Sequence, residues 1–412
     1  MNVLLVSPMP PYRTATLAVP RVLHAQLSGL TELGHDVTVA AVAGPEDAEL
    51  EAVERLRADG VDIHAVCREE PWGVDRWRRR WRLATGWLRW DQPWRTVWFH
   101  EARLQQIVRR LGAERSFDVI SVEDNAMGIY DYGSSAPAVL TEHEVRRPRP
   151  FRLPTELSRD WPRRLAGELD WQRWPEYERR VWSRFPVIQT FTQRDADSIR
   201  AVAPDVRALL RVNPFGLDLP DPLEPAPAAS KDIVFVGNFI HHPNVDAALW
   251  LGSEIMPRLR RLGAGARLTV VGPWAPSSVT ALACDDIRVT GKVADVRPFL
   301  EAAAVVLAPI RVGGGMRMKV LEALALGKAV VTTRRGAEGL AELGDLPLVV
   351  SETPDDVAAE TARLLVDPEA RARLGRAARE FAVEHFSARA YARRLEHVYA
   401  EAQDLRARAR HS

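Results

Sequence analysis

Residues 305–333 read VVLAPIRVGGGMRMKVLEALALGKAVVTT, and this stretch decides the fold. The apolar run Val305–Ile310 is followed by three glycines, a helical pattern over Met316–Leu326 and a second apolar run, Ala329–Thr333. This succession predicts a β-α-β unit, and such units build parallel sheets. Ligands bind an open parallel sheet beyond the C-terminal ends of its strands, where helix N-termini present free N–H groups. The glycines stand at that position.

The same alternation of apolar runs and helical patterns extends through both halves of the chain. A stretch rich in proline and alanine, residues 221–230, separates the halves and is typical of a linker or domain edge. The late amphipathic pattern Ala388–Arg406 closes the sequence. The other predicted strands are Val3–Val6, Asp36–Val42, Val61–Val66, Phe117–Val122, Ala138–Thr141, Val187–Thr192, Ile233–Val236 and Arg267–Val271, and the main predicted helices are Leu17–Leu33, Glu46–Ala58, Gln193–Val202, Asn244–Arg261, Pro354–Leu365 and Pro368–His385.

Composition sets outer limits on the function. The 412 residues are enough for two or three domains, and 46% hydrophobic with 27% charged residues is typical of globular proteins. Fifty-six basic against 55 acidic residues give a formal charge of +1, which argues against a dedicated nucleic-acid binder. Two distant cysteines, no signal segment and no apolar run of 18 residues predict a cytoplasmic protein of bacterial-type composition.

Two cations follow the glycines of the deciding stretch. Arg317 and Lys319 fall in the first predicted turn of the helix, although the chain has only four lysines in all. Cations are unfavourable at a helix N-terminus unless an anion offsets them, and a diphosphate would do so. The alternative is a glycine-rich turn in which Lys319 and Glu322 form a surface pair. The spacing alone does not choose between the two.

The stretch resembles the donor-site signature of family-four (group 1) retaining glycosyltransferases with the GT-B fold. The resemblance covers nearly the whole chain in matching order. It rests on Gly313–Thr333 and Gly336–Leu340, on Val234–Phe239 with Pro243–Asp246, on Val289–Val293 with Asp295–Pro298, on Leu140–Val145 and on Asn213–Asp218.

The resemblance implies an α/β architecture with two Rossmann-like domains facing a central cleft. Residues 1–215 would bind the acceptor and residues 216–385 the nucleotide-sugar donor, with a hinge near Asn213–Leu217. Residues 386–412 would form a helix that packs back on the N-terminal domain.

The resemblance also assigns site residues. Arg317 and Lys319 would hold the diphosphate and, with His143, form the catalytic set, while Glu322 would accept hydrogen bonds from the ribose hydroxyls. His143 would reach across the cleft to the transferred sugar or the acceptor; without the resemblance, a partly buried structural histidine is the better interpretation. The full donor set is Gly237, Asn238, Gly291, Lys292, Val293, Gly314, Gly315, Met316, Arg317, Lys319 and Glu322, and the acceptor-side set is Tyr12, Thr14, Glu142 and His143.

Three positions depart from the family pattern. Gly314 stands where many members carry a glutamate, which leaves the donor sugar open. Asn238 and His241-His242-Pro243 stand where a phosphate-binding arginine and lysine are usual, so neutralisation would depend on Arg317 and Lys319. The loop Pro8–Ala15 contains no glycine, and the hydroxyls of Thr14 and Thr16 would take its place.

No cofactor and no metal ion are expected. The one Asp-x-Asp motif, Asp195-Ala196-Asp197, opens a predicted helix, where acidic residues favour the dipole. Phosphate charge would instead be met by arginine, lysine and helix N–H groups.

Residues Trp72–Trp98 hold seven of the thirteen tryptophans and seven interleaved arginines. The segment suits a peripheral membrane contact at the inner face of the membrane or an aromatic acceptor wall. The alternative, which we slightly favour, is a helical hairpin that packs its tryptophans on the sheet. Single-stranded nucleic acid is the weakest of these interpretations because the chain is nearly neutral.

The resulting hypothesis is a hexosyltransferase-like enzyme that transfers a sugar with retention by front-face displacement, the leaving diphosphate helping to deprotonate the acceptor hydroxyl. The acceptor could be a small molecule, a polysaccharide or a lipid-linked molecule. Two other classes compete: a nucleotide-sugar 2-epimerase, which would need paired carboxylates facing the sugar, and a non-enzymatic sugar-nucleotide-binding or scaffold protein. Gly314 argues against the first, and the intact Arg317, Lys319, Glu322 and His143 argue against the second.

Overall fold

The computed structural model describes residues 1–15, 17–44, 46–68, 77, 81, 85, 92–143, 145 and 167–411. The chain divides into two compact units: Met1–Leu217 with Tyr391–Ser412, and Asp218–Ala390. Most of the Trp72–Trp98 segment lies outside the described residues, as does Thr16. Within the segment, the described Trp77 and Trp81 side chains are each about two-thirds exposed. Its role stays a prediction.

The first unit is built on a parallel sheet of seven strands in the order β3-β2-β1-β4-β5-β6-β7. Strands β1 and β2 are buried along almost their whole length, because helices cover both faces of such a sheet. The strands are β1 (Asn2–Ser7), β2 (Asp36–Ala43), β3 (Asp62–Cys67), β4 (Val119–Glu123), β5 (Ala138–Glu142), β6 (Val187–Thr190) and β7 (Leu209–Val212).

Helices connect most of these strands, because a parallel pair needs a crossover connection rather than a tight turn. Helix α6 (Gln193–Val202) begins where it does because of its N-cap: the Thr192 hydroxyl accepts a hydrogen bond from the Asp195 N–H and so caps the first turn. The helices of this part of the chain are α1 (Ala18–Glu32), α2 (Asp47–Ala58), α3 (Trp94–Phe99), α4 (Ala102–Glu114), α5 (Trp174–Trp182) and α6 (Gln193–Val202).

The second unit repeats the order in a parallel sheet of six strands, β10-β9-β8-β11-β12-β13. In both sheets the first strand of the unit is hydrogen-bonded to the second and the fourth, so the strand order reverses beside it. The strands are β8 (Asp232–Val236), β9 (Arg267–Val271), β10 (Ile287–Val289), β11 (Val305–Ala308), β12 (Val330–Thr332) and β13 (Val349–Val350).

The helices of the second unit pack their apolar faces on this sheet around Phe235, Leu307 and Val331, which are fully buried. One predicted helix, Asn244–Arg261, is instead two helices joined by a π-helical turn at Leu251–Ile255. A short 3-10 helix, Ala341–Leu343, is also present. The α-helices are α7 (His242–Trp250), α8 (Met256–Arg261), α9 (Ser277–Thr280), α10 (Arg297–Ala302), α11 (Met318–Ala325), α12 (Pro354–Val366) and α13 (Pro368–Phe386).

The last helix, α14 (Ala388–His411), belongs to the first unit from Tyr391 onward. Tyr391, Leu395 and Tyr399 are fully buried there, and Arg211 on β7 forms a two-bond ion pair with Glu401, both distances 2.7 Å. Every fourth residue of the helix therefore faces the core, as its amphipathic pattern predicts. In the described part of the chain, no helix has the length and apolar character needed to cross a membrane.

Candidate functional site

The second unit gathers its predicted site residues where the strand order reverses. Strands β8 and β11 lie side by side there, and crevices at such a reversal are the usual ligand sites of doubly wound sheets. Gly237 directly follows β8, whereas Gly313–Gly315 lie between β11 and helix α11. A Cβ on Gly237 would lie 3.0 Å from the Asn244 Cβ and 3.3 Å from Lys319 Nζ, so only glycine leaves these groups their present room.

Lys319 is the central cation of this cluster. Its Nζ donates a short hydrogen bond to Asn244 Oδ1 and lies 4.6 Å from the centre of the Phe235 ring. Asn244 is fixed in turn, because its Nδ2 donates to the Asn238 carbonyl at 2.6 Å. The ammonium is thus held over an aromatic face by one neutral amide. This arrangement differs from the alternative interpretation, in which Lys319 and Glu322 form an exposed pair.

The pKa of Lys319 is lowered to about 7, first by burial and then by the nearby Arg317 guanidinium, while Glu322 partly opposes both. A lysine in this state loses its proton near neutral pH because its charge is neither hydrated nor fully paired. A bound anion would restore the charge. The site is therefore electrostatically prepared for a negatively charged ligand.

The glycine run gives the loop its shape. Gly313 has φ +85° and Gly315 has φ +79°, a left-handed conformation that side-chain-bearing residues rarely adopt. A Cβ on Gly313 would also meet Pro243 Cγ at 2.8 Å. Arg317, which directly precedes α11, donates from Nη2 to the Val312 carbonyl at 3.3 Å, so its guanidinium folds back over the loop. Gly314 and Met316 lie within this turn and are partly buried.

The remaining donor-side residues lie at the neighbouring strand ends. The Gly272 N–H after β9 donates to the Gly291 carbonyl after β10 at 3.1 Å, and the Gly237 N–H donates to the Val271 carbonyl at 2.9 Å. Gly291 has φ +69°. Lys292 is exposed and Val293 is partly buried. These three loops therefore form one continuous edge of the sheet.

In the first unit, His143 follows β5 and meets a buried carboxylate. Its Nε2 lies 3.0 Å from Oε2 of Glu123, which ends β4 and is fully buried. The ring also makes an edge-to-face contact with Phe191 at 5.1 Å between centres. Asp124 turns the chain away immediately after Glu123 with φ 73°.

The other acceptor-side residues differ in exposure. Thr14 is exposed, and Tyr12 is partly buried, with a pKa raised by burial and by the carboxylates of Glu49 and Glu46. Glu142 is 1% exposed, and its Oε1 accepts a hydrogen bond from the Trp182 indole. Glu142 therefore packs in the core of the unit, and an acceptor role stays a prediction for all four residues.

Both carboxylates of the Asp-x-Asp motif contact side chains of their own helix or its cap. The Thr192 hydroxyl donates to Asp195 Oδ2 at 2.7 Å, and Asp197 pairs with Arg200 at 2.9 Å. Among the residues that the structure describes, no group of three or more His, Cys, Asp or Glu side chains is placed to hold a metal ion.

Sequence reasoning missed the partners that define both clusters. Asn244 and Phe235 hold Lys319, and Glu123 holds His143. The signal for Asn244 was a polar residue in the first turn of a helix after a strand end. Glu123 carried the stronger signal, a carboxylate ending an otherwise apolar strand.

Residues 230–367 match the protein family described as "Glycosyl transferases group 1". The matched segment contains every donor-side residue named above. A comparison with curated protein sequences found no match.

Several solved structures share the fold across nearly the whole chain. HepE from Anabaena, in complex with UDP and glucose, aligns with 96% of this chain and 99% of its own at 14% identity and a TM-score of 0.57. A variant of TarM from S. aureus, in complex with fondaparinux, alpha-GlcNAc-glycerol and UDP, aligns with 97% and 100% at 8% identity and a TM-score of 0.64. A trehalose-6-phosphate protein from E. coli bound with UDP-2-fluoro glucose aligns with 97% and 99% at 13% identity and a TM-score of 0.56.

The chain therefore has the GT-B fold, with two α/β units built on parallel sheets, and the predicted fold class is confirmed. The resemblance to group 1 glycosyltransferases is also confirmed, through residues 230–367. Membership in family four, retention and the roles of the individual site residues stay predictions.

Proposed function

We propose that this protein transfers a sugar from a nucleoside-diphosphate donor to an acceptor, with retention at the anomeric carbon. The match of residues 230–367 to group 1 glycosyl transferases and the GT-B fold of the chain support this proposal. One observation carries the proposal. The partly buried Lys319 ammonium, with a pKa lowered to about 7, lies beside Gly237 and next to the glycine turn that precedes α11. Cationic side chains beside the free N–H groups of a helix N-terminus favour phosphate groups.

In this proposal each donor-side residue has a separate task. Lys319 and Arg317 neutralise the diphosphate, and the backbone of Gly314–Met316 approaches the phosphates or the sugar. Glu322 lies one turn further along α11 and accepts hydrogen bonds from the ribose, while the backbone of Gly291–Val293 meets the base. The left-handed turns at Gly313 and Gly315 support this assignment because they bring backbone N–H groups close to the ligand.

The reaction that fits this set is a front-face displacement. Negative charge on the diphosphate grows as the glycosidic bond breaks, and Arg317 and Lys319 stabilise that charge. The departing diphosphate oxygen takes the proton of the acceptor hydroxyl, so the new bond forms on the face that the leaving group vacates. The chain's cations perform the neutralisation without a resident metal ion. His143 contacts the sugar or the acceptor.

UDP is the first nucleotide to test because HepE, TarM and the E. coli protein all carry UDP or a UDP sugar. The purified chain should be titrated with UDP, GDP, ADP and dTDP and then incubated with the sugar donors of the tightest ligand. We expect slow hydrolysis without acceptor, with NMR showing that the released sugar first has the donor's anomeric configuration. Inversion at C1 would refute retention, inversion at C2 would identify an epimerase, and absence of nucleotide binding would refute the donor site.

A further inference from the structure

A buried polar network surrounds Glu123 in the first unit, and three side chains donate hydrogen bonds to one oxygen of this carboxylate. Glu123 Oε1 accepts from Gln26 Nε2 at 3.0 Å, from the Ser121 hydroxyl at 3.0 Å and from the Thr141 hydroxyl at 3.3 Å. All four residues are fully buried. Glu123 Oε2 is left for the His143 ring, at 3.0 Å from Nε2.

The direction of these bonds is fixed by the next residues outward. Ser121 accepts from the Tyr399 hydroxyl at 2.9 Å, and Thr141 accepts from Gln189 Nε2 at 3.3 Å, so each hydroxyl has its own hydrogen free to donate to Glu123. A carboxyl group that receives this many donors is an ionised acceptor. Its partner in His143 must then be an Nε2–H donor.

The C-terminal helix α14 supplies the outer part of the network. Tyr399 both donates to Ser121 and accepts from Gln26 Nε2 at 3.1 Å, while Tyr391 accepts from Gln189 Nε2 at 3.3 Å. Burial raises the pKa of both phenols, so they stay protonated and able to take part. Two tyrosines two turns apart on one helix therefore brace the two branches that converge on Glu123.

From this arrangement we infer that Glu123 is a positioning residue for the proposed transfer reaction. It holds His143 as the Nε2–H tautomer and leaves Nδ1 as the ring nitrogen that accepts a hydrogen bond from a sugar or acceptor hydroxyl. Within the described residues Nδ1 has no hydrogen-bond partner of its own. The edge-to-face contact with Phe191 fixes the plane of the same ring. The expected effect on sugar transfer rests on the proposed function. The tautomer of His143 rests only on the hydrogen bonds of the first unit.

The substitution Glu123→Gln gives a sharp test because the network dictates how the amide must lie. The three donors at Oε1 retain the amide oxygen, so the new NH2 group takes the place of Oε2 and faces His143. That NH2 donates to Nε2, which must now be unprotonated, and the ring proton moves to Nδ1. A single neutral substitution should thus reverse the tautomer and convert the free nitrogen from an acceptor into a donor.

The experiment is 15N NMR of the full chain labelled at histidine, at a pH where the ring is neutral, with the His143 signals assigned by their loss in His143→Gln. The parent should show a protonated Nε2 and an unprotonated Nδ1, and Glu123→Gln should show the reverse. Glu178→Gln is the matched control, since Glu178 is a 2% exposed carboxylate of the same unit outside the network, and it should leave the pattern unchanged. An Nδ1–H tautomer in the parent overturns the inference even if Glu123→Gln does not fold, because the assignment needs only the His143→Gln variant.

Kinetics provide the second readout. Glu123→Gln should lower kcat by roughly 10–100-fold, the usual effect of removing the partner that orients a functional histidine, with nucleoside-diphosphate affinity unchanged. Tyr399→Phe should lower kcat by a smaller factor and keep the parent tautomer, because Gln26 and Thr141 still hold Glu123. An unchanged kcat in Glu123→Gln contradicts the positioning role. Failure of the proposed function is seen separately, as absence of nucleotide binding in the parent.

Discussion

The two units share one strand order, yet they carry opposite chemistry where that order reverses. In the second unit Arg317 and Lys319 lie beside the glycines that follow β8 and β11, and the partly buried Lys319 has no full counter-charge. In the first unit the end of β4 buries a carboxylate that accepts hydrogen bonds from three side chains at one oxygen and contacts His143 through the other. The backbone architecture therefore provides the position, and the side chains at the strand ends decide whether it suits a phosphate or a hydroxyl.

The two sites also differ in what stabilises the charged side chain. Hydrogen bonds from the protein stabilise Glu123, whereas Lys319 lacks a full counter-charge until an anionic ligand binds. An incompletely paired charge lowers the stability of the folded chain and raises its affinity for an anionic ligand. The predictions below follow from that contrast.

Lys319→Met should have the largest effect on binding. Loss of a charged hydrogen bond worth about 1.5–3 kcal/mol weakens nucleoside-diphosphate affinity by roughly 10–150-fold. The same change should raise the free energy of unfolding at pH 6. The pKa of Lys319 is about 7 in the folded chain against an ordinary value of 10.5, so burying the charge costs stability below pH 7, and that cost fades as the pH rises through 7 to 10.5.

Calorimetric titration and denaturant unfolding measure these two quantities. Loss of both affinity and stability in Lys319→Met would indicate a structural lysine and remove the contrast between the units.

Arg317→Ala and Glu322→Ala should separate turnover from binding. Arg317 meets charge that grows in the transition state, so its loss should lower kcat more than it weakens nucleotide affinity. Glu322 meets the ribose in the ground and transition states alike, so its loss should weaken nucleotide affinity by roughly tenfold and change kcat little. Steady-state kinetics beside nucleotide titrations distinguish the two. Parent-like values for both variants would place the donor site elsewhere.

Gly237→Ala should have the smallest effect of the series. The new Cβ would press on Asn244 at 3.0 Å and on Lys319 Nζ at 3.3 Å, which displaces the pair by a few tenths of an ångström. We expect a few-fold loss of nucleotide affinity and at most about 1 kcal/mol of stability. Gly167→Ala, where a Cβ meets nothing within 4 Å, is the control. Equal effects of the two alanines on nucleotide affinity would contradict the close fit at Gly237.

Much of this fold was predictable because parallel strands buried on both faces leave continuous apolar runs. The strands at Asp36–Ala43 and Arg267–Val271 stood out for that reason. The short or half-exposed strands Leu209–Val212, Ile287–Val289 and Val349–Val350 leave too few apolar residues for periodicity to detect. The π turn at Leu251–Ile255 keeps the helical pattern and changes only the hydrogen bonding, so no sequence period records it.

The candidate site divides in the same way. Gly313–Gly315 with Arg317 and Lys319 were visible because glycine and cations interrupt an apolar pattern at one point. The pairing of Lys319 with Asn244, and of His143 with Glu123, joins residues 75 and 20 positions apart. Such residues come together only through the order of the strands in the sheet, and that order cannot be deduced from a single sequence.

The central claim is that Lys319 is poised to take up a proton when a diphosphate binds. The direct measurement is calorimetric titration at pH 8, in two buffers of different ionisation enthalpy, with the tightest-binding nucleoside diphosphate. Phosphate groups with a last pKa near about 6 are already ionised at this pH, so the ligand contributes no proton. The account predicts uptake of about one proton per nucleotide by the parent and little or none by Lys319→Met. Binding without proton uptake in the parent, or equal uptake in both proteins, would contradict it.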